Sequence, residues 1–537
     1  MIKEKVKRLI DQTLTNLGIE PIAYSLEEPP ANFPADWASN VALLLSKKLR
    51  ENPQNLAKRI AGNLSVSGIL EKVEIAGPGF LNLYLKPAEY TEEIERINRE
   101  GECYGVSDKF AGKRVNLEFV SANPTGPLHI GHGRGAAFGD TLGRIFSALG
   151  YTVEKEYYVN DVGNQMDVLA KSVDLRLREL QGEKIEFPAE CYQGDYLKEI
   201  AGQIAEKKKN YSREELRKIV QEEILSYIQE ELVEFGVGFD RWFFESSLYD
   251  SGKVQTTLDL LKKKGYAYEK DGAVWFKSTD FGDEKDRVVV REDGRHTYLA
   301  SDIAYHRDKF ERGYDLLIDI WGADHHGYVA RVKGAIKSAG YEEEKLKIIL
   351  YQLVRLLRDG KPVAMSTRSG EFVTLTEVVK EVGRDACRFF FLMRGSDAQL
   401  DFDLELAKKQ SKENPVFYVQ YAHTRIAGIF REAQKQAAVS MADKFELNCL
   451  SPLDLALMKK LARYPETLEA AARDYAPHYL TIFLQDIADA FHNYYEKQRI
   501  LTEDLRASAQ RLRLLQAVKI ILANGLGLLG VSAPEKM

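Results

Sequence analysis

The chain has 537 residues, 45% hydrophobic and 29% charged, with a formal net charge of −6. That balance excludes a disordered chain, and the length exceeds one core, since domains usually run about 50–250 residues. The mild acidity excludes a nucleic-acid binder that works through a basic average; such a ligand would need local positive potential.

No unbroken apolar run approaches the roughly 20 residues of a membrane helix. The opening MIKEKVKRLIDQTLTNLG reads as an amphipathic helix, without the apolar stretch of a signal peptide. Cys103, Cys191, Cys387 and Cys449 are scattered, with no Cys-x-x-Cys pair. No structural zinc or disulfide framework is therefore expected, no membrane is implied, and a reducing cytoplasm is the simplest compartment. Three basic clusters (Lys47, Lys48 and Arg50; Lys207, Lys208 and Lys209; Arg511, Arg513 and Lys519) read as solvated helix faces.

Residues 1–108 form a first unit. Helical patterns such as WASNVALLLSKKLRENPQNLAKRIAGNL lead to VEIAGPGFLNLYL, an alternating stretch split by Gly77-Pro78-Gly79 into a hairpin. A helix near EEIERINREG closes this small α+β domain. A second unit over 109–395 opens with the strand RVNLEFV, the loop SANPTGPLHIGHG, a helix near GAAFGDTLGRIFSALG and the strand VEKEYYV. Repeated βαβ units imply a parallel, Rossmann-like sheet. Further strands fit DLLIDIWG and KIILYQLV. An insertion at about 170–290 is helical at first, then β-like around GAVWFKS and DRVVVRE. From 396 to 537 the pattern is helical throughout and predicts an α-bundle.

The segment Pro127-Leu128-His129-Ile130-Gly131-His132 leaves a strand and enters a helix. A helix N-terminus offers unpaired N–H groups and partial positive charge, suited to phosphate. His129 and His132 are three apart and can share a face, where two imidazoles could donate to phosphate oxygens as charge develops. Gly131 leaves backbone open to a flat base. Two histidines capping a helix, or half a metal site, are the plainer alternatives. A second element, Ala364-Met365-Ser366-Thr367-Arg368-Ser369-Gly370, follows the turn Asp359-Gly360-Lys361-Pro362.

The His-x-Gly-His turn resembles the signature of class I aminoacyl-tRNA synthetases, shared with smaller nucleotidyltransferases. The second element resembles their mobile Lys-Met-Ser-Lys-Ser loop, with Ala364 and Thr367 in place of both lysines. Some arginyl-tRNA synthetases that lack the second lysine carry one before the first histidine; that place is Gly126 here. Arg368 is the foremost candidate for the replacement cation, with Lys361 second. The longer segments LEFVSANPTGPLHIGHGRGAAFGDTLGRIFSALGYTVEKEYYVNDVGNQ, YLASDIAYHRDKF, WGADHHGYVARVKGA, DACRFFFLMR, LDFDLELAKKQSKENPVFYVQYAHTRI and LLGVSAPEKM together resemble bacterial-type arginyl-tRNA synthetases.

That resemblance implies ATP-dependent ligation of L-arginine to tRNA(Arg) through an arginyl-adenylate, with Mg²⁺ accompanying ATP and no covalent enzyme intermediate. It implies that Glu118 and Asp302 contact the guanidinium, Tyr298 the side chain, and Ser121 and Asn123 the polar head. Asp324 falls near the adenosine, and Met365, Ser366, Thr367 and Arg368 near the phosphates. Charge complementarity independently asks for acids around a guanidinium fork. The helical unit is expected to read the anticodon, with Tyr418, Tyr421, His423 and Arg425 as candidates, and the first unit to touch the tRNA elbow. A monomer is expected. Two other functions stay open on the sequence: another ATP-dependent adenylyl- or nucleotidyltransferase, and a non-catalytic tRNA-binding relative.

Overall fold

Five apolar strands build the central sheet, in the order Leu346–Tyr351, Leu316–Gly322, Arg114–Phe119, Thr152–Val159, Arg241–Phe244, all parallel. The structure, a computed structural model, describes residues 2–30, 34–64, 68–207, 211–363, 373–435, 441–442 and 444–537. Strand Arg114–Phe119 is buried at every residue but the first, as a strand covered on both faces requires. The strand order is doubly wound and reverses between Arg114–Phe119 and Leu316–Gly322. A crevice at the carboxyl ends of the strands at that reversal is where such sheets hold ligands.

The stretch expected as one strand over 347–354 is two, Leu346–Tyr351 and Val354–Arg358. The break falls at Gln352, whose N–H donates to Ser396 O at 2.8 Å and whose carbonyl accepts from Arg134 Nη1 at 2.6 Å. Val354–Arg358 then pairs in parallel with Leu400–Asp403. The stretch from 396 is therefore not helical throughout. Leu400 and Phe402 alternate inward, which is a strand period too short to stand out beside the long helices that follow.

The expected hairpin is present: Leu70–Ala76 pairs antiparallel with Phe80–Leu85 within a four-stranded sheet. Helices Ile2–Asn16, Val41–Leu49 and Pro53–Leu64 supply its core with Val6, Ile10, Leu45, Leu56 and Ile60. Helix Pro87–Glu100 leads away from it. The insertion carries helices Asn164–Leu180, Tyr196–Lys207 and Arg213–Glu234, then the antiparallel strands Ala267–Lys270, Ala273–Phe276 and Arg287–Val290. That order matches expectation.

Helices Pro415–Lys435, His478–Lys497 and Leu505–Leu529 form the frame of the C-terminal bundle. The last is long and apolar enough to cross a membrane by length and composition, which corrects the run-by-run reading, where Arg513 and Lys519 interrupt it. Its most apolar window is 56% buried inside the protein. Arg513 is also not a solvated face residue: its guanidinium grips both oxygens of Glu95 and joins the bundle to helix Pro87–Glu100.

Candidate active site

Helix Ile130–Ala148 starts at the reversal point with His129 as its N-cap. His129 Nδ1 accepts from the N–H groups of Gly131 at 3.1 Å and His132 at 3.3 Å, and His132 Nδ1 accepts from His129 N–H at 3.3 Å. The two rings stack with centroids 3.6 Å apart. A Cβ on Gly131 would come within 2.9 Å of the His129 ring, so the glycine makes room for its own neighbour. The capping reading is thus met, and it leaves the ring Nε2 atoms out of the cap. Because each Nδ1 accepts, each neutral ring carries its proton on Nε2, on the far edge from the cap. Burial lowers the pKa of His129. Burial, then the adjoining His129 ring, pushes that of His132 down to about 3. Both are neutral donors at neutral pH.

The chain beyond residue 372 returns to this turn. His129 and Thr374 form an antiparallel bridge, and Leu375 N–H donates to Leu128 O at 2.8 Å. Ala364, Met365, Ser366, Thr367 and Arg368 lie outside the described residues. Lys361 is exposed in the short strand Lys361–Pro362. At Gly126, where a compensating lysine would sit, a Cβ would lie 3.3 Å from the Tyr196 ring.

Strand Arg114–Phe119 delivers Glu118 to the crevice. In register it lies between Asp319 and Glu156 of the flanking strands, so three acids sit side by side. The fully buried Lys309 bonds Glu118 Oε2 and, at 2.7 Å, Asp319 Oδ1. His306 Nε2 meets Asp319 Oδ2 at 2.8 Å. Burial works against the ammonium, but Asp319 and Glu118 raise the Lys309 pKa all the same. Glu118 Oε1 also accepts from the Ser121 hydroxyl at 3.0 Å, and Ser121 Oγ accepts from Tyr158 N–H at 3.1 Å. Val120 and Ser121 have φ of 68° and 39°, a left-handed turn costing about 1–3 kcal/mol per residue. Glu118 and Tyr158 pin that turn. Asn123 is exposed on the loop beyond it.

Helix Tyr298–Glu311 places Tyr298 and Asp302 one turn apart on one face. Tyr298 is 58% exposed. Asp302 Oδ2 accepts from the Tyr328 hydroxyl at 2.5 Å. Glu245, just past strand Arg241–Phe244, completes the group. Burial pushes its carboxyl up to about 7 despite bonds from Ser301 and Tyr158, and Asp302 adds to the rise. Burial likewise raises Asp302, with Glu118 contributing. Among the described residues neither Asp302 nor Glu245 has a lysine or arginine at ion-pair distance. Asp324 follows strand Leu316–Gly322 and is exposed, 3.7 Å from His325 Nε2.

Glu245 and Lys309 were not singled out from the sequence. The strand before Glu245 has four residues inside a helical insertion, so nothing local marks it as the edge of the central sheet. Lys309 follows Asp302 by two helical turns in YLASDIAYHRDKF; only a buried cation among strand-end acids would reveal it.

On helix Pro415–Lys435 three of the four candidates gather. Tyr418 packs on His492 with centroids 4.5 Å apart, Tyr421 is 39% exposed, and Arg425 lies over Tyr495 at 4.2 Å. His423 points elsewhere: it is buried, with Nδ1 2.9 Å from Pro534 O.

A doubly wound sheet with a paired-histidine helix cap at its switch point is common to class I tRNA synthetases and smaller nucleotidyltransferases, and the family match decides for the catalytic domain of a class I tRNA synthetase. Residues 99–391 match that family, described as tRNA synthetases class I (R), catalytic domain. Residues 2–85 match the arginyl tRNA synthetase N terminal domain, and 419–537 the DALR anticodon binding domain. The chain belongs to the arginyl-tRNA synthetase family. It is 53% identical to the arginine–tRNA ligase of Geobacter sp. (strain M21), covering 98% of this chain and 97% of that one. It is 48% identical to that of Carboxydothermus hydrogenoformans, covering 96% and 95%. The arginyl-tRNA synthetase structure from Thermus thermophilus shares the fold with a TM-score of 0.80 at 23% identity, over all of both chains. The expected architecture is therefore correct: a parallel-sheet catalytic region between an N-terminal α/β region and a helical C-terminal one. The nucleotidyltransferase alternative is not favoured.

Proposed function

We propose that this chain ligates L-arginine to tRNA(Arg) in two steps at the described crevice. The arginine carboxylate attacks the α-phosphorus of ATP, giving arginyl-adenylate and pyrophosphate. The terminal ribose hydroxyl of tRNA then attacks the acyl carbon, and AMP leaves. The observation that carries the substrate assignment is the pair Asp302 and Glu245: two desolvated carboxyls with no basic partner among the described residues. Such a pair is held at a cost that a guanidinium fork removes. Glu118 is already matched by Lys309, so its part is to hold the Ser121 turn rather than to bind the fork. Tyr298 flanks the arginine side chain, and Ser121 and Asn123 face its polar head.

The Nε2–H groups of His129 and His132 are placed to donate to phosphate oxygens, with Gly131 and Asp324 on either side of the nucleotide. Mg²⁺ accompanies the ATP phosphates; among the described residues no cluster of three or more His, Cys, Asp or Glu side chains could hold a metal ion. Arg368 supplies the cation that Ala364 and Thr367 do not, with Met365, Ser366 and Thr367 beside it. The bridge between His129 and Thr374 supports this, since the chain just after that segment meets the histidine turn. Tyr421 and Arg425, backed by Tyr418, suit unstacked anticodon bases.

The expected divisions fall near residues 108 and 395, the second moved past strand Leu400–Asp403 by its pairing with Val354–Arg358, and one chain holds every part, so the reading needs no second copy. All four cysteines are free thiols, the state a reducing cytoplasm maintains. ATP–pyrophosphate exchange with each amino acid, with and without tRNA, tests the function. Exchange is expected with arginine alone among the amino acids. Exchange with another amino acid and not arginine would overturn the substrate, and no exchange at all would favour a non-catalytic relative.

A further inference from the structure

Glu231 is a buried carboxylate that reaches the active site from the insertion. It lies in the last turn of helix Arg213–Glu234 and is 6% exposed. Its Oε2 accepts from Leu128 N–H at 2.9 Å, and its Oε1 from the Thr376 hydroxyl at 2.5 Å. These partners lie 103 and 145 residues away and belong to the two chain segments that meet at the histidine turn. Among the described residues it has no lysine or arginine at ion-pair distance; burial raises its pKa, and the bonds from Leu128 and Thr376 work against that rise.

The position matters because of what Leu128 does. Leu128 is fully buried and immediately precedes His129. Its carbonyl is held by Leu375 N–H, and its N–H by Glu231. The backbone entering the cap is thus fixed at both polar groups. His129 and His132 are in turn held through backbone N–H groups of the same cap. A shift of the cap backbone would move both Nε2–H donors together. Thr376 lies two residues beyond Thr374, which bridges His129, so the second oxygen of Glu231 secures the other half of the same contact.

We propose that Glu231 is a positioning residue for adenylate formation: it clasps Leu128 to Thr376 and so sets the geometry of the His129 and His132 donors. This rests on reading those histidines as phosphate donors. Placing the clasp on an insertion helix gives that helix a direct hold on the nucleotide turn. Any ligand that shifts the Arg213–Glu234 helix would be felt there.

The test measures ATP–pyrophosphate exchange with tRNA at saturating substrates, per active site fixed by burst titration, together with the arginine KM. Glu231→Ala removes both links. Its kcat is expected to fall about ten-fold, as misplaced catalytic groups do, with arginine KM nearly unchanged. In Glu231→Gln the amide oxygen can accept from Leu128 N–H while the NH₂ group donates to the Thr376 hydroxyl oxygen, so both links persist. That variant is expected within about two-fold of the parent. Thr376→Val removes one link without a buried charge and covers the case in which Glu231→Ala does not fold; its kcat is expected to fall about three-fold. Parental kcat per active site in the folded alanine variant, or in Thr376→Val where the alanine variant does not fold, would overturn the proposal. A lower melting temperature alone would mark a structural role and overturn it equally. His129→Ala and His132→Ala are measured alongside. If they retain parental rates, the donor reading fails; if they lose activity while the Glu231 and Thr376 variants do not, only the present inference fails.

Discussion

Glu118 and Lys309 form an ion pair inside the protein, and Asp319 on the neighbouring strand shares the same ammonium. Glu118, expected from family resemblance to meet the guanidinium, therefore has its charge matched from within. Among the described residues no lysine or arginine lies at ion-pair distance from the crevice's other two acids, Asp302 and Glu245. Removing one partner from a buried pair costs about 3–5 kcal/mol, because the remaining charge stays buried. Lys309→Met should destabilise the fold by that order. Burial opposes the ionised Asp319 carboxyl, but Lys309 and His306 hold its pKa below the usual range, so in the parent its contribution is present at neutral pH and lost in acid. In the variant Asp319 loses the ammonium while its burial remains, so its pKa rises and the deficit should shrink as pH falls from 8 towards 5. Thermal melts across that range check it; a deficit independent of pH would contradict the charge account.

Asp302→Asn and Glu245→Gln should each raise the arginine KM, since a charge-assisted bond to a fork is worth about 1.5–3 kcal/mol, or roughly ten- to a hundred-fold. The ATP KM should move little. Initial rates of exchange with each substrate varied in turn decide it. Equal effects on both substrates would place these acids outside the amino-acid pocket.

The arginine KM should also depend on pH through Glu245. Its carboxyl, pushed up to about 7 by burial, is part-protonated at neutral pH in the free enzyme. A bound guanidinium favours the ionised form, so binding releases a proton and tightens as pH rises through 7. The KM is expected to fall about ten-fold between pH 6 and 8 and then level off, as one linked group requires. Glu245→Gln should flatten that slope. A slope that survives the substitution would assign the titration to another group.

His129→Ala and His132→Ala should lower kcat for exchange by about 10²–10³, the usual loss for one preorganised donor. Each also removes a helix cap, worth about 1 kcal/mol of stability. Single-turnover adenylate formation separates the two effects. An unchanged rate with a lowered melting temperature would leave these rings a capping role only.

Arg368→Ala should lower the maximal exchange rate more than Lys361→Ala, with arginine affinity unaltered. Charge develops on pyrophosphate as it leaves, and a guanidinium keeps its charge at any working pH. Both variants at saturating ATP decide it, and a near-parental rate for Arg368→Ala would sink the assignment.

The sequence by itself determined the elements that are long, periodic or marked by turn residues. The Gly77-Pro78-Gly79 hairpin, the strand before His129, the helix after it and the C-terminal helices were all legible, because local patterning reports local structure. It also named the histidine pair, whose mutual capping depends on a spacing of three. What only the tertiary structure decided is which charges are paired. Glu118, Asp302 and Glu245 are alike in the sequence, yet one is matched by a lysine 191 residues away and two have no such partner among the described residues. Likewise His423 and Tyr421 share a helix, but one is buried against the C-terminal tail and the other is exposed. Burial and ion pairing are set by long-range contacts between strand ends, helix faces and insertions. A residue's own neighbours in the chain carry no record of them, and it was these contacts that separated the acid held by a lysine from the other two.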